Sequence, residues 1–161
     1  MKVEGKSYRS IWYDENTQAV KIIDQRWLPH EFRIATLDSL QDFAIAITDM
    51  WVRGAPLIGA TAAFGVAMEM RRGTSDAALE RCRDTLLDTR PTAINLRWAL
   101  DRCLDSLRPL PVEQRASHSL ELARQISDED VEINRRIGVN GLEIIKKIAD
   151  TKKENEPVNI L

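Results

Sequence analysis

The sequence predicts an α+β fold, in which a small three-stranded antiparallel sheet is followed by a helical bundle with one long helix. Two observations carry this prediction. Up to Thr36 the apolar residues occur in short β-type runs, and after Thr36 they recur nearly every four residues as far as Asp150. The chain has 161 residues, of which 43% are apolar, and this is enough for one domain with its own core.

Three short segments rich in β-branched and aromatic residues predict the sheet. They are Ser10–Tyr13, Ala19–Asp24 and Glu31–Thr36. The polar run DENTQ separates the first two segments, and a corner at Pro29 separates the last two. Connections this short favour an antiparallel meander.

The first two predicted helices follow the sheet. Apolar residues lie on one helical face from Leu40 to Trp51, with Asp38 or Ser39 as the N-cap. The second helix is predicted to open at Pro56, because a proline in the first helical position loses no hydrogen bond. One row of this helix carries small residues at a spacing of four, and the other faces are also apolar, so we expect a central, buried helix. The row consists of Ala55, Gly59, Ala63 and Ala67.

Three further helices are predicted. The third runs from Ser75 to Thr89, the fourth starts at Pro91, and the long fifth helix covers Val112 to Asp150. At 1.5 Å per residue the fifth helix would be about 55–60 Å long, more than a compact domain of this size needs. We therefore expect either a bend near Gly138 or Gly141 or a protruding arm.

Composition excludes several classes of function. The net charge is −2 and charges of both signs are interspersed, so nucleic-acid binding is not predicted. The apolar stretch Gly54–Met68 is too short to span a membrane, and the polar N-terminus does not resemble a secretory signal, which predicts a cytoplasmic protein. Cys82 and Cys103 lie 21 residues apart without ligand partners, so we expect buried, reduced thiols and no metal site.

Two arginines that precede apolar helices form the candidate site. Arg53 stands directly before Gly54, which has no Cβ to block backbone approach, and before a helix start whose unpaired N–H groups attract anions. Arg90 directly precedes Pro91, where the fourth helix is predicted to start. Together the two guanidinium groups could hold a phosphate or a polyol from two directions. The spacing alone slightly favours the alternative, in which both are ordinary surface arginines at helix starts.

The other polar candidates carry weaker predictions. His30 and His118 stand in unrelated contexts and are predicted to be ordinary surface residues. Asp130 and Asn134 lie beside apolar positions of the long helix and favour buried hydrogen bonds between helices. No nucleophile with an adjacent base, no Walker loop and no G-x-G-x-x-G occurs in the sequence.

Four motifs resemble the N-terminal half of the methylthioribose-1-phosphate isomerase family. This family is related to the regulatory subunits of eukaryotic translation initiation factor 2B and to ribose-1,5-bisphosphate isomerase. The motifs occur in the family's order and cover nearly the whole chain. They are DQRWLP at 24–29, VRGAPLIG at 52–59, TRPTAINLRWAL at 89–100 and NRRIGVNG at 134–141.

The resemblance implies an activity and a set of binding residues. The family isomerises 5-methylthioribose 1-phosphate to 5-methylthioribulose 1-phosphate in methionine salvage, as a homodimer without a metal or an organic cofactor. Arg53, Gly54 and Ala55 match its first substrate-binding segment, and Arg90 matches its second binding arginine. This match raises the anion-site interpretation above the surface-arginine alternative.

The resemblance also implies a second domain. In the family a Rossmann-like domain follows, so residues 1–156 are predicted to be the N-terminal domain and 157–161 the start of the next domain's first strand. The family's catalytic cysteine and aspartate would come after Leu161, and Cys82 and Cys103 match neither. We therefore expect no catalytic residue in this chain, no activity of the chain alone, and the missing domain as a partner.

Two alternatives remain open from the sequence. The chain could be a regulatory or binding module like the initiation-factor subunits, although such a module has less need of a sugar-phosphate site. It could also belong to a ribose-1,5-bisphosphate isomerase, because the sequence does not distinguish a 5-methylthio group from a 5-phosphate. The motifs at 24–29 and 134–141 resemble the methylthioribose enzyme more closely.

Overall fold

The computed structural model describes residues 2–153 and 156–160. It divides into two compact units, residues 1–127 and 128–161. The described residues contain five strands and five helices, and a single hydrophobic core lies in the first unit. No helix in the described residues is long and apolar enough to cross a membrane.

The predicted meander is confirmed. Strands β3 (Ile11–Asp14), β4 (Ala19–Ile23) and β5 (Ile34–Leu37) pair antiparallel in sequence order. Strand β5, the third strand of this sheet, begins at Ile34 and not at the predicted Glu31, because residues 24–31 form hydrogen-bonded turns. In these turns Glu31 N–H donates to the Trp27 carbonyl at 2.9 Å.

A second, smaller hairpin was not predicted. Strands β1 (Lys2–Val3) and β2 (Lys6–Ser7) pair around a two-residue turn at Glu4 and Gly5, whose φ angles are +49° and +79°. Two residues with positive φ are typical of a type I′ turn, so a glycine in this position was the available signal. Strands of two residues are too short to show an alternating pattern.

The first helix α1 covers Leu40–Thr48 and is capped by Ser39. The Ser39 Oγ accepts from the Asp42 N–H at 3.2 Å, and the Asp42 carboxylate accepts from the Ser39 N–H at 2.8 Å. This reciprocal capping box settles the predicted choice between Asp38 and Ser39. The helix ends before Trp51, because Met50 adopts a φ of +58°, outside the helical region.

The second helix α2 (Ala55–Met70) is central, as predicted, and every residue from Ile58 to Met68 is buried. Its small residues allow close contacts with other helices. A Cβ on Gly59 would lie 2.9 Å from the Asn95 carbonyl oxygen, and one on Gly65 would lie 3.2 Å from the Phe43 ring. These glycines therefore set how closely its neighbours pack.

The remaining helices agree with the predictions to within two residues, except at the start of α4. Helix α3 covers Asp76–Leu87, α4 covers Ile94–Leu107 and α5 covers Val112–Ala149. Helix α4 begins three residues after the predicted start at Pro91. Helix α5 is one uninterrupted helix of 38 residues that continues through Gly138 and Gly141.

A buried arginine connects the start of α5 to the preceding loops. The Arg115 side chain is 5% exposed, and its guanidinium donates to the Asp76 carboxylate and to the carbonyls of Thr74, Arg108 and Leu110. A buried charge is tolerated because several acceptors replace the lost water. Arg115 thereby fixes the loops before α3 and α5.

The C-terminal residues carry a prediction that stays open. Residues 156–160 have no regular secondary structure, and Leu161 lies outside the described residues. The strand predicted for 157–161, as the start of a further domain, therefore remains a prediction.

Two glycine substitutions test the importance of the α2–α4 contact. We expect Gly59→Ala to lower the free energy of unfolding by about 1–3 kcal/mol, because the added methyl group meets a backbone oxygen that cannot rotate away. The matched control is Gly138→Ala on α5, where a Cβ meets nothing within 4 Å. This change should raise stability by up to about 1 kcal/mol through helix propensity. Urea unfolding of both variants measures the difference, and a Gly59→Ala variant as stable as the control would contradict this account.

Candidate anion-binding site

Arg53 lies exposed at the entrance to α2. Its neighbour Val52 is fully buried and anchors the backbone, while Gly54 adopts a φ of +95° as the N-cap. The Gly54 carbonyl accepts the Ile58 N–H at 3.0 Å, but no side chain caps this helix end. The N–H groups in the first turn of α2 therefore remain available to an anion, at the positive end of the helix dipole.

Arg90 is half-buried in the loop before α4, and the prediction that it stands directly before this helix was wrong. Pro91 and Thr92 form a turn that is closed by the Ala93 N–H donating to the Arg90 carbonyl at 3.0 Å. Ala93 is extended, so α4 starts only at Ile94. Arg90 consequently stands four residues before the helix rather than at its first turn, and the α4 dipole contributes less there.

The contact between α2 and α4 brings the starts of the two helices together. Gly59 lies in the second turn of α2 and Asn95 in the first turn of α4, and the two are in close contact. The segments that lead into these turns carry Arg53 and Arg90. The arrangement expected from the sequence, two cationic side chains at neighbouring helix starts, is therefore compatible with the packing.

An aromatic clamp that sequence reasoning missed holds the backbone next to Arg53. The Arg26 guanidinium lies 4.2 Å from the centre of the Trp51 ring and makes a two-pronged ion pair with Asp24, at 2.9 and 2.7 Å. The Gln25 N–H donates to the Trp51 carbonyl at 2.9 Å. The available signal was the motif DQRWLP. The family resemblance rests in part on this motif, but the spacing of its residues predicted no structural or functional role for them.

Some charged side chains in this region form ion pairs, and others do not. The hydrogen bonds from Arg26 hold the pKa of Asp24 below its ordinary value, so Asp24 is ionised and cancels the Arg26 charge. Within the described part of the chain, the Arg53 and Arg90 guanidinium groups have no hydrogen-bond or ion-pair partner. The Trp51 indole N–H is buried, and it too has no partner among the described residues. The guanidinium groups of Arg53 and Arg90 thus supply two positive charges without a partner, which favours an anionic ligand.

The structure corrects two weaker predictions and bears out a third. His118 is half-buried rather than a plain surface residue, and its Nε2 lies 2.8 Å from the Ser106 Oγ. The Asn134 amide donates to the Asp130 carbonyl at 2.9 Å, which is an exposed bond within one helix and not a buried bond between helices. His30 is exposed, as predicted.

The two cysteines are buried and free, as predicted. Burial raises the pKa of both thiols, that of Cys103 to about 12. Both thiols are therefore protonated at neutral pH, and a protonated, buried thiol is a poor nucleophile and a poor metal ligand. In the described ranges no group of three or more His, Cys, Asp and Glu side chains could hold a metal ion.

The fold and the site define a helical domain with a small N-terminal sheet that presents cationic side chains at one end of a helix pair. Residues 51–154, from the start of that site through the helical bundle, match the model of the initiation factor 2 subunit family. The chain belongs to this family.

Individual proteins with similar sequences show which members of the family this chain resembles. All 161 residues align at 56% identity with the methylthioribose-1-phosphate isomerases of Rhizobium meliloti and Brucella anthropi and at 48% with that of Escherichia coli. The chain spans 43–44% of the length of these curated relatives. These similarities confirm the resemblance that the sequence motifs indicated.

Two solved structures share the fold. The crystal structure of 5-methylthioribose 1-phosphate isomerase from Pyrococcus horikoshii matches 87% of this chain and 41% of its own, with a TM-score of 0.78 and 36% identity. The translation initiation factor eIF-2B subunit delta from A. fulgidus matches 86% and 42%, with a TM-score of 0.77 and 34% identity. The backbone fold alone therefore does not separate an isomerase from an initiation-factor subunit.

The Asp24–Arg26 pair gives a prediction about stability and pH. We expect Asp24→Asn to lower the free energy of unfolding by about 1–2 kcal/mol at neutral pH, because the Arg26 guanidinium loses its charged partner and one of the two hydrogen bonds that it donates to the carboxylate. Since the folded-state pKa of Asp24 is lowered, its contribution is complete above pH about 4 and is lost as the pH falls through the folded-state pKa.

The control is Glu31→Gln, which breaks an exposed pair with Arg33 at the same sequence separation and should change stability much less. Urea unfolding at neutral pH and at pH about 3 tests both variants. If the two variants lose equal stability, the clamp has no special role.

Proposed function

We propose that this chain is the sugar-phosphate-binding, N-terminal part of an aldose–ketose isomerase that converts 5-methylthioribose 1-phosphate to 5-methylthioribulose 1-phosphate. The observation that carries the proposal is the pair of unneutralised arginines, Arg53 and Arg90, at one end of the α2–α4 pair. The names of the most similar relatives support the substrate class. The relatives are more than twice as long as this chain, so the activity is proposed for the longer protein.

Arg53, Gly54 and Ala55 hold the phosphate group in this proposal. The Arg53 guanidinium supplies charge and paired donors, and the first turn of α2 supplies backbone N–H groups. Gly54 has a φ of +95°, which a side chain would strain, and its exposed backbone lets the ligand approach. Arg90 binds the same ligand from the α4 side.

The chemical step needs groups that these residues do not supply. Isomerisation of an aldose to a ketose moves hydrogen between C2 and C1 and requires an acid–base group at the reacting carbons. Arginine stays protonated in proteins and cannot act as the base. We therefore assign the proton transfer to polypeptide beyond these 161 residues, where the resemblance places a catalytic cysteine and aspartate. A cytoplasmic homodimer without metal or organic cofactor belongs to the same proposal.

A regulatory module is the second candidate, because the fold is nearly as similar to an initiation-factor subunit as to an isomerase. An isomerase needs a charged site that binds the sugar phosphate, whereas a regulatory module has less need of one. Ribose-1,5-bisphosphate isomerase is a third candidate that shares this need. Binding measurements with both sugar phosphates therefore separate the three.

Isothermal titration calorimetry tests the proposal on the chain itself. We expect 5-methylthioribose 1-phosphate to bind, and Arg53→Ala or Arg90→Ala to weaken binding roughly ten- to hundredfold, since each change removes charge-assisted hydrogen bonds. The matched control is Arg81→Ala, which removes an exposed arginine from α3 and should leave the affinity unchanged.

Three results would change the assignment. Absence of binding to the wild-type chain would favour the regulatory module. Tighter binding of ribose 1,5-bisphosphate would favour the third candidate. Equal loss of affinity in the Arg81→Ala control would show that only net charge is measured.

An activity assay tests the division between binding and chemistry. We expect the purified chain to show no turnover of 5-methylthioribose 1-phosphate, because the proposal assigns the acid–base groups to polypeptide beyond these 161 residues. Formation of 5-methylthioribulose 1-phosphate by the chain alone, followed by NMR, would place the catalytic groups within these 161 residues.

A further inference from the structure

The position of the Arg53 guanidinium is not fixed by contacts of its own. Among residues 2–153 and 156–160 it has no hydrogen-bond or ion-pair partner, and Arg53 is exposed. An arginine that is ordered only when a ligand binds loses side-chain freedom at that moment, and this loss reduces the affinity. The place of the guanidinium before binding therefore depends on the backbone that carries it.

The backbone that carries Arg53 lies between two residues with positive φ. Met50 has a φ of +58° and Gly54 a φ of +95°, so they flank the three residues 51–53. A residue with a side chain keeps a positive φ only where the surrounding contacts fix it. The conformation of Met50 therefore requires contacts that hold residues 51–53 in place.

Arg26 supplies one of these contacts from a distant part of the chain. Its guanidinium lies 4.2 Å from the centre of the Trp51 ring, and two of its nitrogens donate to the Asp24 carboxylate at 2.9 and 2.7 Å. The two hydrogen bonds fix the orientation of the guanidinium against which the Trp51 ring packs. A planar group that stacks on an aromatic ring and donates two parallel hydrogen bonds is a property of arginine that lysine does not share.

The same chemistry occurs a second time within the connection between β4 and β5. The Arg33 guanidinium lies 3.5 Å from the centre of the Trp27 ring and donates to the Glu31 carboxylate at 2.6 and 2.7 Å. Like Arg26, Arg33 pairs with an acidic residue two positions before it. The Arg33 contacts join residues of one connection, whereas the Arg26 contacts reach a residue two positions before Arg53.

We propose that Arg26 is a positioning residue for anion binding, which acts through Trp51 to hold the Arg53 guanidinium at the start of α2. The inference rests on the proposed function, because it concerns the affinity of the same site. Arg26 itself does not touch the ligand. It holds residues 51–53 before the ligand arrives and so removes part of the ordering cost of binding. A lysine in its place keeps the positive charge but does not hold the Trp51 ring.

Isothermal titration calorimetry with 5-methylthioribose 1-phosphate tests this role. We expect Arg26→Lys to weaken binding about three- to tenfold, less than Arg53→Ala, because the Arg53 guanidinium is still present but less ordered. The matched control is Arg33→Lys, which loses equivalent contacts and should keep the wild-type affinity. Trp51→Leu removes the other half of the contact and should reproduce the loss. Urea unfolding checks that each variant is folded at the temperature of the titration.

A double variant separates positioning from a general effect on the fold. If Arg26 acts only through the Arg53 guanidinium, Arg26→Lys should cause no further loss of affinity in an Arg53→Ala chain. Independent effects would instead multiply.

Hydrogen exchange gives a measurement that needs no ligand. The Ala46 carbonyl accepts the N–H groups of Trp51 and Val52 at 2.9 and 3.4 Å, so their exchange reports the opening of this segment. We expect Arg26→Lys to speed exchange at both N–H groups and to leave the N–H groups of α3 unchanged. Arg33→Lys should leave both regions unchanged.

The outcomes distinguish this proposal from the proposed function. Wild-type affinity in Arg26→Lys, together with weakened binding in Arg53→Ala, would overturn the positioning role alone. Equal weakening by Arg33→Lys, a further loss in the double variant, or unchanged exchange in Arg26→Lys would overturn it as well. Absence of binding to the wild-type chain would overturn both the proposed function and the positioning role.

Discussion

The close approach of α2 and α4 at Gly59 is the constraint on which the candidate site depends. A side chain at this position would meet the Asn95 carbonyl at 2.9 Å, so the two helix starts lie together only because no Cβ is present. Arg53 stands two residues before α2 and Arg90 four residues before α4, so both segments lead into the helix starts that this contact joins. Packing between the two helices therefore fixes where the arginine-bearing segments enter the helical bundle.

Contacts from the residues that follow β4 hold the backbone next to Arg53. Val52 is buried, and Trp51 is held by the Arg26 guanidinium and by the Gln25 N–H. Asp24 neutralises Arg26, so the clamp adds rigidity without adding net charge next to the anion site. Asp24 is buried and the Arg26 side chain is 37% exposed, so the pair lies at the edge of the core rather than inside it. The clamp thus preserves the positive potential that Arg53 and Arg90 provide.

The sequence predicted those features that depend on local patterns. The change of period at Thr36, the capping residue Ser39 and the small residues of α2 each have a local signature, and all were found. The start of α4 was misplaced because Pro91 is a good first helical residue, yet the extended Ala93 delays the helix. The Trp51–Arg26 contact joins residues 25 positions apart and depends on tertiary packing, so the motif DQRWLP by itself did not predict the contact.

The chemistry of the two arginines is the reason why we propose that binding and catalysis are separated in this protein. A guanidinium keeps its charge at every physiological pH, which suits it to hold a phosphate but prevents it from taking a proton. A proton-transfer group must instead have a pKa near the working pH. The buried Cys103 thiol, with a pKa of about 12, lies far from that range, and the Asp24 carboxylate is committed to Arg26. Arg53 and Arg90 are therefore suited to recognise an anion, and we propose that the proton-transferring groups of the isomerisation lie in polypeptide beyond these 161 residues.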